Sequence, residues 1–365
     1  MAPRRPRLLF LNNQGLAGVG GGPGILRNLV RGLAADHAVT VASQDAPAEG
    51  FGVTQVRLPC PAPPGRLWRI APMLRAWQTA DAMPPGLLGQ ADIVVVLDVH
   101  AALALRRRTA RMVYLSLSCV PLQERAMGMA WPGVLQYAWL ERQLAACADA
   151  VVVASRAHAA ALRRWTGLRR LSPTVLHPVF PGAPAPRTGP AIMTILAAGR
   201  MVPGKDFGVI LDLAHRLRDL PCRWVLAGDG PALQALRARS AARALDDRVR
   251  FAGAVADLAP LLAQCDLLVH PSRYESFGMV LVEAMLAGRP VLCGPNVGAM
   301  ELMPPGTAVD VQDLDAVERR LRALIADPAA RGTAAAQAQK AAQLALAPAY
   351  IDGFRAVLRQ LPGRP

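Results

Sequence analysis

The sequence predicts an α/β protein built from two doubly wound, Rossmann-like domains that face each other across a cleft. Strand-like runs alternate with helical runs almost from end to end, and each strand-like run is continuously apolar, as is typical of a parallel sheet covered on both faces. A proline-rich segment at 178–190 divides this alternation into two halves. The 365 residues, of which 53% are hydrophobic, are enough to build two cores.

The first half, residues 1–180, opens with a strand and a glycine-rich turn. The turn leads into an amphipathic helix predicted over 24–36. Buried strands are predicted at 7–13, 38–43, 91–98, 111–118 and 149–155. Because these runs do not alternate between polar and apolar residues, we expect helices on both faces of their sheet.

The second half, residues 191–346, repeats the alternation after a linker at 181–190. Its strands are predicted at 193–199, 222–228, 248–253, 266–272 and 289–294. The tail, residues 347–365, contains a separate amphipathic helix over 347–361, set off from the preceding helical run by Pro348. The sequence therefore predicts two domains followed by a terminal helix.

The charge of the chain favours an anionic partner. The net charge is +15, and residues 1–186, with 20 basic and 9 acidic side chains, contribute +11 of it. A nucleic acid is disfavoured because the chain has no recognition module. Phosphate-bearing ligands and an anionic membrane surface remain. Segment 66–77, with Trp68, Arg69 and Trp77, is either a surface that contacts the membrane or a helix that packs on its own sheet with its arginines outward, and the family resemblance given below favours membrane contact.

Cysteine usage and hydropathy predict the compartment. The six cysteines show no zinc or redox spacing, which indicates reduced thiols in a cytosolic protein. The apolar run from Leu8 to Leu11 is too short for an export signal, and no run approaches the roughly 20 apolar residues of a membrane helix. We expect a cytoplasmic protein that associates peripherally with the inner face of the cytoplasmic membrane.

Polar side chains follow the predicted strands of the second half, where ligands bind in open parallel sheets. These side chains are Arg200 and Lys205 after strand 193–199, Asp229 after 222–228, Arg273 and Glu275 after 266–272, and Asn296 after 289–294. Lys205 is one of two lysines in a chain with 39 arginines, which favours a specific role for it over the alternative of a solvated loop charge. The pattern predicts a ligand cleft at these strand ends.

The spacing of the residues in segment 275–283 indicates the chemical class of the ligand. A helix predicted to begin near Gly278 would leave the backbone N–H groups of Gly278, Met279 and Val280 free to bind phosphate. Glu275 precedes this phosphate site, and Glu283 lies about 7.5 Å beyond it along the helix axis. Two carboxylates that flank a diphosphate can hold the hydroxyl groups of a sugar and of a ribose, which is the layout of a nucleotide sugar.

The same segment resembles the E-x7-E motif of the retaining glycosyltransferases of the GT-B fold, family 4 in particular. Other stretches resemble further motifs of that family in the same order along the chain, although Asp206 replaces a usual glycine. These stretches are Gly20–Pro23, Gly199-Arg200, Gly204-Lys205-Asp206, Gly228-Asp229-Gly230-Pro231 and Val249–Gly253. The resemblance extends from about residue 7 to 361 and implies a terminal helix that crosses back to the first domain.

The resemblance implies roles for the matching residues. Arg200, Lys205 and Glu275 would be catalytic, with the two cations neutralising the departing diphosphate and Glu275 contacting the donor sugar; neither a metal nor another cofactor is expected. Glu283 would bind the ribose. The remaining donor-binding residues would be Gly21, Gly22, Gly199, Gly228, Gly230, Gly253, Ser276, Phe277, Gly278, Met279 and Val280. The implied partners are a UDP-, GDP- or ADP-sugar and a lipid-linked or saccharide acceptor.

One departure from the family concerns the acceptor side. The family often has a histidine after the fourth strand of the first domain, where this sequence has Ser116 and Ser118. His100, which follows strand 91–98, is a second candidate for that place, although a structural role is also open for it. These three residues are the candidates for the acceptor side.

Two other classes of protein are weighed against this reading. A nicotinamide-dependent enzyme is disfavoured because the loop at Gly18–Pro23 does not fit G-x-G-x-x-G and strand 38–43 ends in Ser43 instead of an acidic residue. A nucleotide-sugar-binding protein without catalysis remains the alternative. Release of nucleoside diphosphate would distinguish an enzyme from such a protein.

Overall fold

The computed structural model divides the chain into two compact units. The first unit is Met1–Pro178 with Ala349–Pro365, and the second is Val179–Pro348. The structure describes residues 4–18, 20–59, 72–107, 110–180, 187–189, 192–304, 307–346 and 350–363. Most of the predicted linker 181–190 lies outside the described residues, as do Trp68 and Arg69 of the predicted membrane segment.

The described part of the first unit contains one sheet of seven parallel strands, in the order β3-β2-β1-β4-β5-β6-β7. The strands are β1 (Arg7–Leu11), β2 (Ala38–Ser43), β3 (Thr54–Arg57), β4 (Ile93–Val96), β5 (Arg111–Ser116), β6 (Ala150–Val153) and β7 (Thr174–Val175). The order reverses between β1 and β4, which is the switch point of a doubly wound sheet. The edge strand β3 and the short β7 were not predicted, because neither is a buried apolar run.

The described residues before the second unit contain five α-helices. They are α1 (Gly21–Leu33), α2 (Pro72–Asp81), α3 (Val120–Ala126), α4 (Trp131–Cys147) and α5 (Arg156–Thr166). The prediction of a glycine-rich turn before a helix at 24–36 was wrong by one turn, because α1 already begins at Gly21. Pro23 is compatible with the first turn of a helix, where no intrahelical donor is needed, and this offsets the poor helix propensity of glycine.

The second unit contains, among its described residues, a sheet of five parallel strands in the order β10-β9-β8-β11-β12. The strands are β8 (Met193–Ala198), β9 (Cys222–Ala227), β10 (Val249–Gly253), β11 (Leu267–His270) and β12 (Val291–Cys293). The helices are α6 (Gly208–Arg216), α7 (Leu233–Ala242), α8 (Ala259–Gln264), α9 (Met279–Leu286), α10 (Leu314–Ala326) and α11 (Pro328–Ala345). The switch point lies between β8 and β11, so the strand ends there are where a ligand should bind.

The terminal helix α12 (Tyr350–Gln360) packs against α1 and so belongs to the first unit. A Cβ atom at Gly32 of α1 would lie 2.7 Å from a side-chain atom of Ile351, so any larger residue there would force Ile351 to shift. Arg355 donates to Asp36 (Nε to Oδ2, 2.7 Å) and to the carbonyl oxygen of Gly32 (2.7 Å). The tail is therefore fixed to α1 by packing and by charge.

Each unit has its own apolar core between its sheet and its helices. Residues such as Leu9 and Met112 are buried in the first core, and Ile195 and Trp224 in the second. Burial on both faces explains why these strands read as continuous apolar runs. Together with the parallel order of both sheets, this confirms the predicted α/β class and its two Rossmann-like domains. Within the described ranges, no helix is long and apolar enough to cross a membrane.

Candidate functional site

Glycines allow the strand ends of the second unit to approach closely. A Cβ atom at Gly228 would lie 1.9 Å from the carbonyl oxygen of Gly199, and one at Gly230 would lie 2.4 Å from that of Met201. Both glycines also have positive φ, +137° and +153°. The N–H of Met201 donates to the carbonyl of Asp229 at 2.8 Å, which joins the loops after β8 and β9. These glycines therefore have a packing role at the candidate site, whatever they do for a ligand.

The loop after β8 carries both predicted cations. Arg200 follows Gly199 and is exposed, whereas Lys205 ends a short 3-10 turn over Pro203–Lys205, and its side chain is 24% exposed. Asp206 then adopts the left-handed conformation (φ 45°, ψ 45°), which explains why glycine is the usual residue there and why aspartate is tolerated. The Asp206 carboxylate accepts from Arg273 at 2.8 Å and from Gln312 at 3.2 Å.

The segment between β11 and α9 is fixed by backbone hydrogen bonds to the loop after β12. Glu275 N–H donates to the carbonyl of Asn296 (3.1 Å), and Gly298 N–H donates to the carbonyl of Glu275 (2.9 Å). These bonds hold the Glu275 backbone at the carboxyl end of the sheet. The side chains of Ser276 and Phe277 are 5% and 3% exposed, so both of these predicted donor-binding residues point into the protein.

Helix α9 begins where the sequence predicted it. Gly278 is its N-cap with a positive φ of +96°, and a Cβ atom there would lie 3.0 Å from Leu281 and 3.3 Å from Glu275. Met279 and Val280 form the first turn, whose N–H groups have no intrahelical acceptor. The N-terminus of a helix attracts anions, so this turn fits a phosphate.

Lys205, Glu275 and His270 form the electrostatic centre of the site. The Lys205 ammonium forms an ion pair with the Glu275 carboxylate, and His270 Nε2 lies 3.5 Å from the same carboxylate oxygen. Burial lowers the pKa of Lys205 to about 8, while the adjacent carboxylate favours the charged ammonium. Burial, with the Lys205 charge, lowers the pKa of His270 to about 3, so this imidazole is neutral at physiological pH.

His270 was not singled out from the sequence. It is 2% exposed, and neither ring nitrogen has a hydrogen-bond partner among the described residues. Because it lies inside an apolar strand, the sequence reads it as a core residue. Only the three-dimensional position of Glu275, five residues further on, reveals that the ring lies beside the site.

Glu283 lies in the second turn of α9 with its side chain exposed to solvent. Partial desolvation by the surrounding protein raises the pKa of Glu283, and the negative charge of Asp257 raises it further. Gly253 ends β10 with a φ of +73° and open space where a Cβ atom would be. The structure thus joins Lys205 to Glu275 directly, while Arg200 and Glu283 extend from β8 and α9 without a contact to that pair.

The candidate acceptor-side residues lie in the first unit. His100 is 5% exposed, its Nδ1 lies 2.7 Å from Asp98, and its Nε2 lies 3.3 Å from the Tyr137 hydroxyl. Burial opposes ionisation of Asp98, but His100 outweighs burial and holds the pKa of Asp98 below its usual value. Both ring nitrogens of His100 are therefore engaged within the domain, which favours the structural role that was left open for it.

Ser116 ends β5 and is 1% exposed, whereas Ser118 is partly exposed. Ser116 Oγ lies 3.1 Å from His158 Nε2, 3.2 Å from the carbonyl of Ser118 and 3.4 Å from Glu141. Of the two serines, Ser118 is the one that solvent reaches. Gly21 and Gly22, the predicted donor-binding glycines of this unit, lie in the first turn of α1, and a Cβ atom at Gly22 would lie 3.5 Å from Leu117.

A buried carboxylate beneath Ser116 was also missed from the sequence. Glu141 of α4 is 0% exposed and accepts from the Tyr114 hydroxyl at 2.9 Å. Burial raises the pKa of Glu141 to about 8, against hydrogen bonds from Tyr114, the Val120 N–H and Ser116. The sequence offered one signal, a single acidic residue among the apolar residues of a helix. Such a residue is normally assigned to the solvent face.

Comparison with known proteins now bears on this site. The family described as Glycosyltransferase Family 4 matches residues 19–180, and that described as Glycosyl transferases group 1 matches residues 193–327. The alpha-D-kanosaminyltransferase of Streptomyces kanamyceticus is 34% identical over 138 residues, which are 35% of this chain and 36% of that protein. The lipopolysaccharide core biosynthesis glycosyltransferase LpsE of Rhizobium meliloti is 31% identical over 149 residues, or 40% and 42% of the two chains.

The crystal structure of HepE from Anabaena in complex with UDP and glucose superposes with a TM-score of 0.77 at 20% identity, covering 97% of this chain and 99% of that one. Two Rossmann-like domains with this similarity define a protein of the GT-B fold. The chain belongs to the family 4 glycosyltransferases (glycosyl transferases group 1), as the motifs predicted. Its matches span only 36% and 42% of the two curated relatives, so their activities do not transfer directly.

Proposed function

We propose that the protein is a retaining, metal-independent glycosyltransferase. It would move a sugar from a UDP-, GDP- or ADP-sugar to a lipid-linked or saccharide acceptor in the synthesis of cell-envelope glycan or glycolipid. It would work in the cytoplasm, at the inner face of the cytoplasmic membrane. The proposal depends most on one observation: Lys205, Glu275 and the N-terminus of α9 lie together at the carboxyl edge of the second sheet, beside its switch point.

Different residues at this edge would contact different parts of the donor. The diphosphate would contact Arg200, Lys205 and the first N–H groups of α9, because two cations and a helix N-terminus complement its charge. Glu275 would then be released from Lys205 to accept hydrogen bonds from the sugar hydroxyls. Glu283, one helical turn beyond the phosphate position, would accept hydrogen bonds from the ribose.

The chemical step breaks the bond between the anomeric carbon and the diphosphate oxygen, and negative charge grows on that oxygen. Fixed cations stabilise this charge more in the transition state than in the ground state, so Arg200 and Lys205 would act mainly on turnover. The acceptor hydroxyl forms the new bond to the anomeric carbon, and its proton leaves with the nucleoside diphosphate or with solvent. Ser118 is the partly exposed candidate on the acceptor side.

The first experiment asks whether the protein is an enzyme at all. Thermal-shift screening of UDP-, GDP- and ADP-sugars identifies the donor, since a ligand at 100 times its Kd stabilises the folded state by about 2.7 kcal/mol. Nucleoside diphosphate release is then measured with that donor, with and without EDTA. Stabilisation without any release would favour the non-catalytic binding protein, and strict dependence on added Mg²⁺ would contradict the two-cation account. The anomeric configuration of the product, read by NMR, tests retention.

The second experiment tests the ribose contact. Glu283→Gln should weaken donor binding by about 1.5–3 kcal/mol, or roughly 10- to 150-fold in Kd, because a charged acceptor is lost. Asp247→Asn is a matched control, since Asp247 is 71% exposed and directly precedes β10, at the amino ends of the parallel strands and so opposite the candidate site. Equal Kd values for Glu283→Gln and the wild type by calorimetry would remove Glu283 from the donor site.

A further inference from the structure

Two ion pairs join the same two loops of the second unit. The first is between Lys205, in the loop after β8, and Glu275, in the loop after β11. The second is between Asp206, the next residue of the first loop, and Arg273, two residues before Glu275. The N–H of Arg273 also donates to the carbonyl of Gly204 at 3.3 Å. The two pairs have opposite polarity, so each loop offers one cation and one carboxylate to the other.

The proposed function needs only the first of these pairs to open. A diphosphate would attract Lys205 away from Glu275, so their contact has to break whenever the donor binds. The pair of Asp206 and Arg273 contains neither of the cations assigned to the diphosphate, and it can stay closed during that step. It is therefore placed to hold the two loops together while their other ion pair is broken.

The Asp206 carboxylate is held from two directions. Its side chain is 19% exposed, although that of Arg273 is 62% exposed. One carboxylate oxygen, Oδ2, accepts from Arg273 Nε at 2.8 Å and from Gln312 Nε2 at 3.2 Å. Gln312 lies in the loop before α10, so side chains from two other loops meet at this oxygen. These contacts fix the residue that directly follows Lys205.

The backbone at Asp206 would suit a glycine. Its left-handed conformation (φ 45°, ψ 45°) costs glycine no steric strain and is less favourable for aspartate. An ion pair as exposed as this one also contributes little to the stability of a fold. Neither the backbone nor overall stability accounts for a carboxylate at this position, which favours a local use of the side chain.

We propose that Asp206 and Arg273 are positioning residues, a clasp that keeps the Lys205 loop against the Glu275 loop while the diphosphate separates Lys205 from Glu275. Without the clasp, the Lys205 ammonium would move over a wider range and would lie less often beside the departing oxygen. Because charge on that oxygen grows in the transition state, the loss should affect turnover more than donor binding. The effect on turnover rests on the proposed function, whereas the position of Lys205 in the free protein does not.

The two lysines of the chain allow this position to be measured without turnover. The full chain is acylated with a limiting amount of an N-hydroxysuccinimide ester at pH 7.5. Mass spectrometry then gives the labelling of Lys205 relative to that of Lys340, which is exposed on α11. Asp206→Gly and Arg273→Gln should each raise this ratio about three- to fivefold, the range expected for the loss of one partly exposed ion pair. The double variant should resemble the single ones, because all three lack the same contact.

Two further variants separate the clasp from general effects. Asp219→Asn is the matched control, because Asp219 accepts from Arg322 at 2.7 and 3.0 Å but precedes β9, at the amino ends of the strands. It should leave the labelling of Lys205 unchanged. Asp206→Asn keeps the shape of the side chain and tolerates the left-handed backbone, but it removes the charge. It should therefore raise the labelling ratio less than Asp206→Gly does.

Kinetics test the consequence for the reaction. With the donor that the thermal-shift screen identifies, kcat for nucleoside diphosphate release should fall about fivefold in Asp206→Gly and in Arg273→Gln, while the donor KM changes less than about twofold. The midpoint of urea unfolding should stay that of the wild type, whereas a merely structural role would lower it. An unchanged labelling ratio in both variants, or an equal increase in Asp219→Asn, would overturn the proposal. A wild type that releases no nucleoside diphosphate would refute the proposed function, and the labelling ratios would still decide whether the clasp holds Lys205.

Discussion

Replacing the buried Glu141 by glutamine should remove a pH dependence from the stability of the first unit. The pKa of Glu141 is raised to about 8 in the folded protein, mainly by burial, against an ordinary value of 4.5. A group whose pKa is raised by folding contributes stability in its protonated form, below its unfolded pKa, and that stability is lost as the pH rises through the folded pKa. Glutamine resembles the protonated acid and does not titrate.

The expected magnitude follows from these two values. At pH 6.5 about 2 kcal/mol of the stabilisation remains, and at pH 8.5 only a few tenths of a kcal/mol, so the wild type should lose about 2 kcal/mol across this interval. His158, on the other side of Ser116, has its pKa lowered to about 4 by burial and gains a little stability in the same interval. Because His158 is present in both proteins, its contribution cancels in the comparison.

The measurement is hydrogen exchange of peptides from β5 and α4 in the full chain, corrected for the pH dependence of chemical exchange. The protection of the wild type should fall between pH 6.5 and 8.5 relative to that of Glu141→Gln, and the two proteins should be similar at pH 6.5. Glu141→Ala should be less protected at both values, since Tyr114 and Ser116 lose their acceptor. Parallel pH profiles for the wild type and Glu141→Gln would refute the reasoning.

Two further predictions concern the second unit. Turnover should fall above about pH 8 as Lys205 loses its proton. Lys205→Arg should move this decline beyond pH 9, because a guanidinium stays charged. Initial rates measured across pH test the prediction, and a decline at the same pH in the variant would assign the decline to another group. Gly228→Ala should lower the free energy of unfolding, measured in urea, by about 2–4 kcal/mol, because its Cβ atom would lie 1.9 Å from a carbonyl oxygen. Gly253→Ala is the control, since Gly253 has a positive φ but open space around its Cβ position, and it should lower the free energy of unfolding by only about 1 kcal/mol. Equal losses in the two variants would contradict the steric explanation.

The sequence predicts the sheets better than the details around them. Most central strands could be placed within two or three residues because burial on both faces leaves an uninterrupted apolar run. The edge strand β3, TQVR, is half-exposed and carries no such run, so it has no signal of its own. The start of α1 was misplaced because glycine propensity argues against a helix, while the proline that fits its first turn is a weaker signal.

The side chains that determine the site depend on packing that periodicity does not specify. Motif spacing predicted Lys205 and Glu275 at one edge, and the structure joins them in an ion pair. His270 belongs to an apolar strand, and a strand pattern does not say which core residue lies beneath a loop. In α4 both faces carry large apolar residues, so the sequence could not decide that Glu141 is inside and Trp131 outside.

The ion pair between Lys205 and Glu275 gives His270 a physical role under the proposed function. A diphosphate would attract Lys205 away from Glu275 and leave that carboxylate, 22% exposed, without its cation. The neutral imidazole of His270 carries one N–H, and on Nε2, 3.5 Å away, this proton can be donated to the same oxygen. The histidine would then hold Glu275 in place while the carboxylate turns from its cation to the sugar, which accounts for a buried, otherwise unbonded ring beside the site.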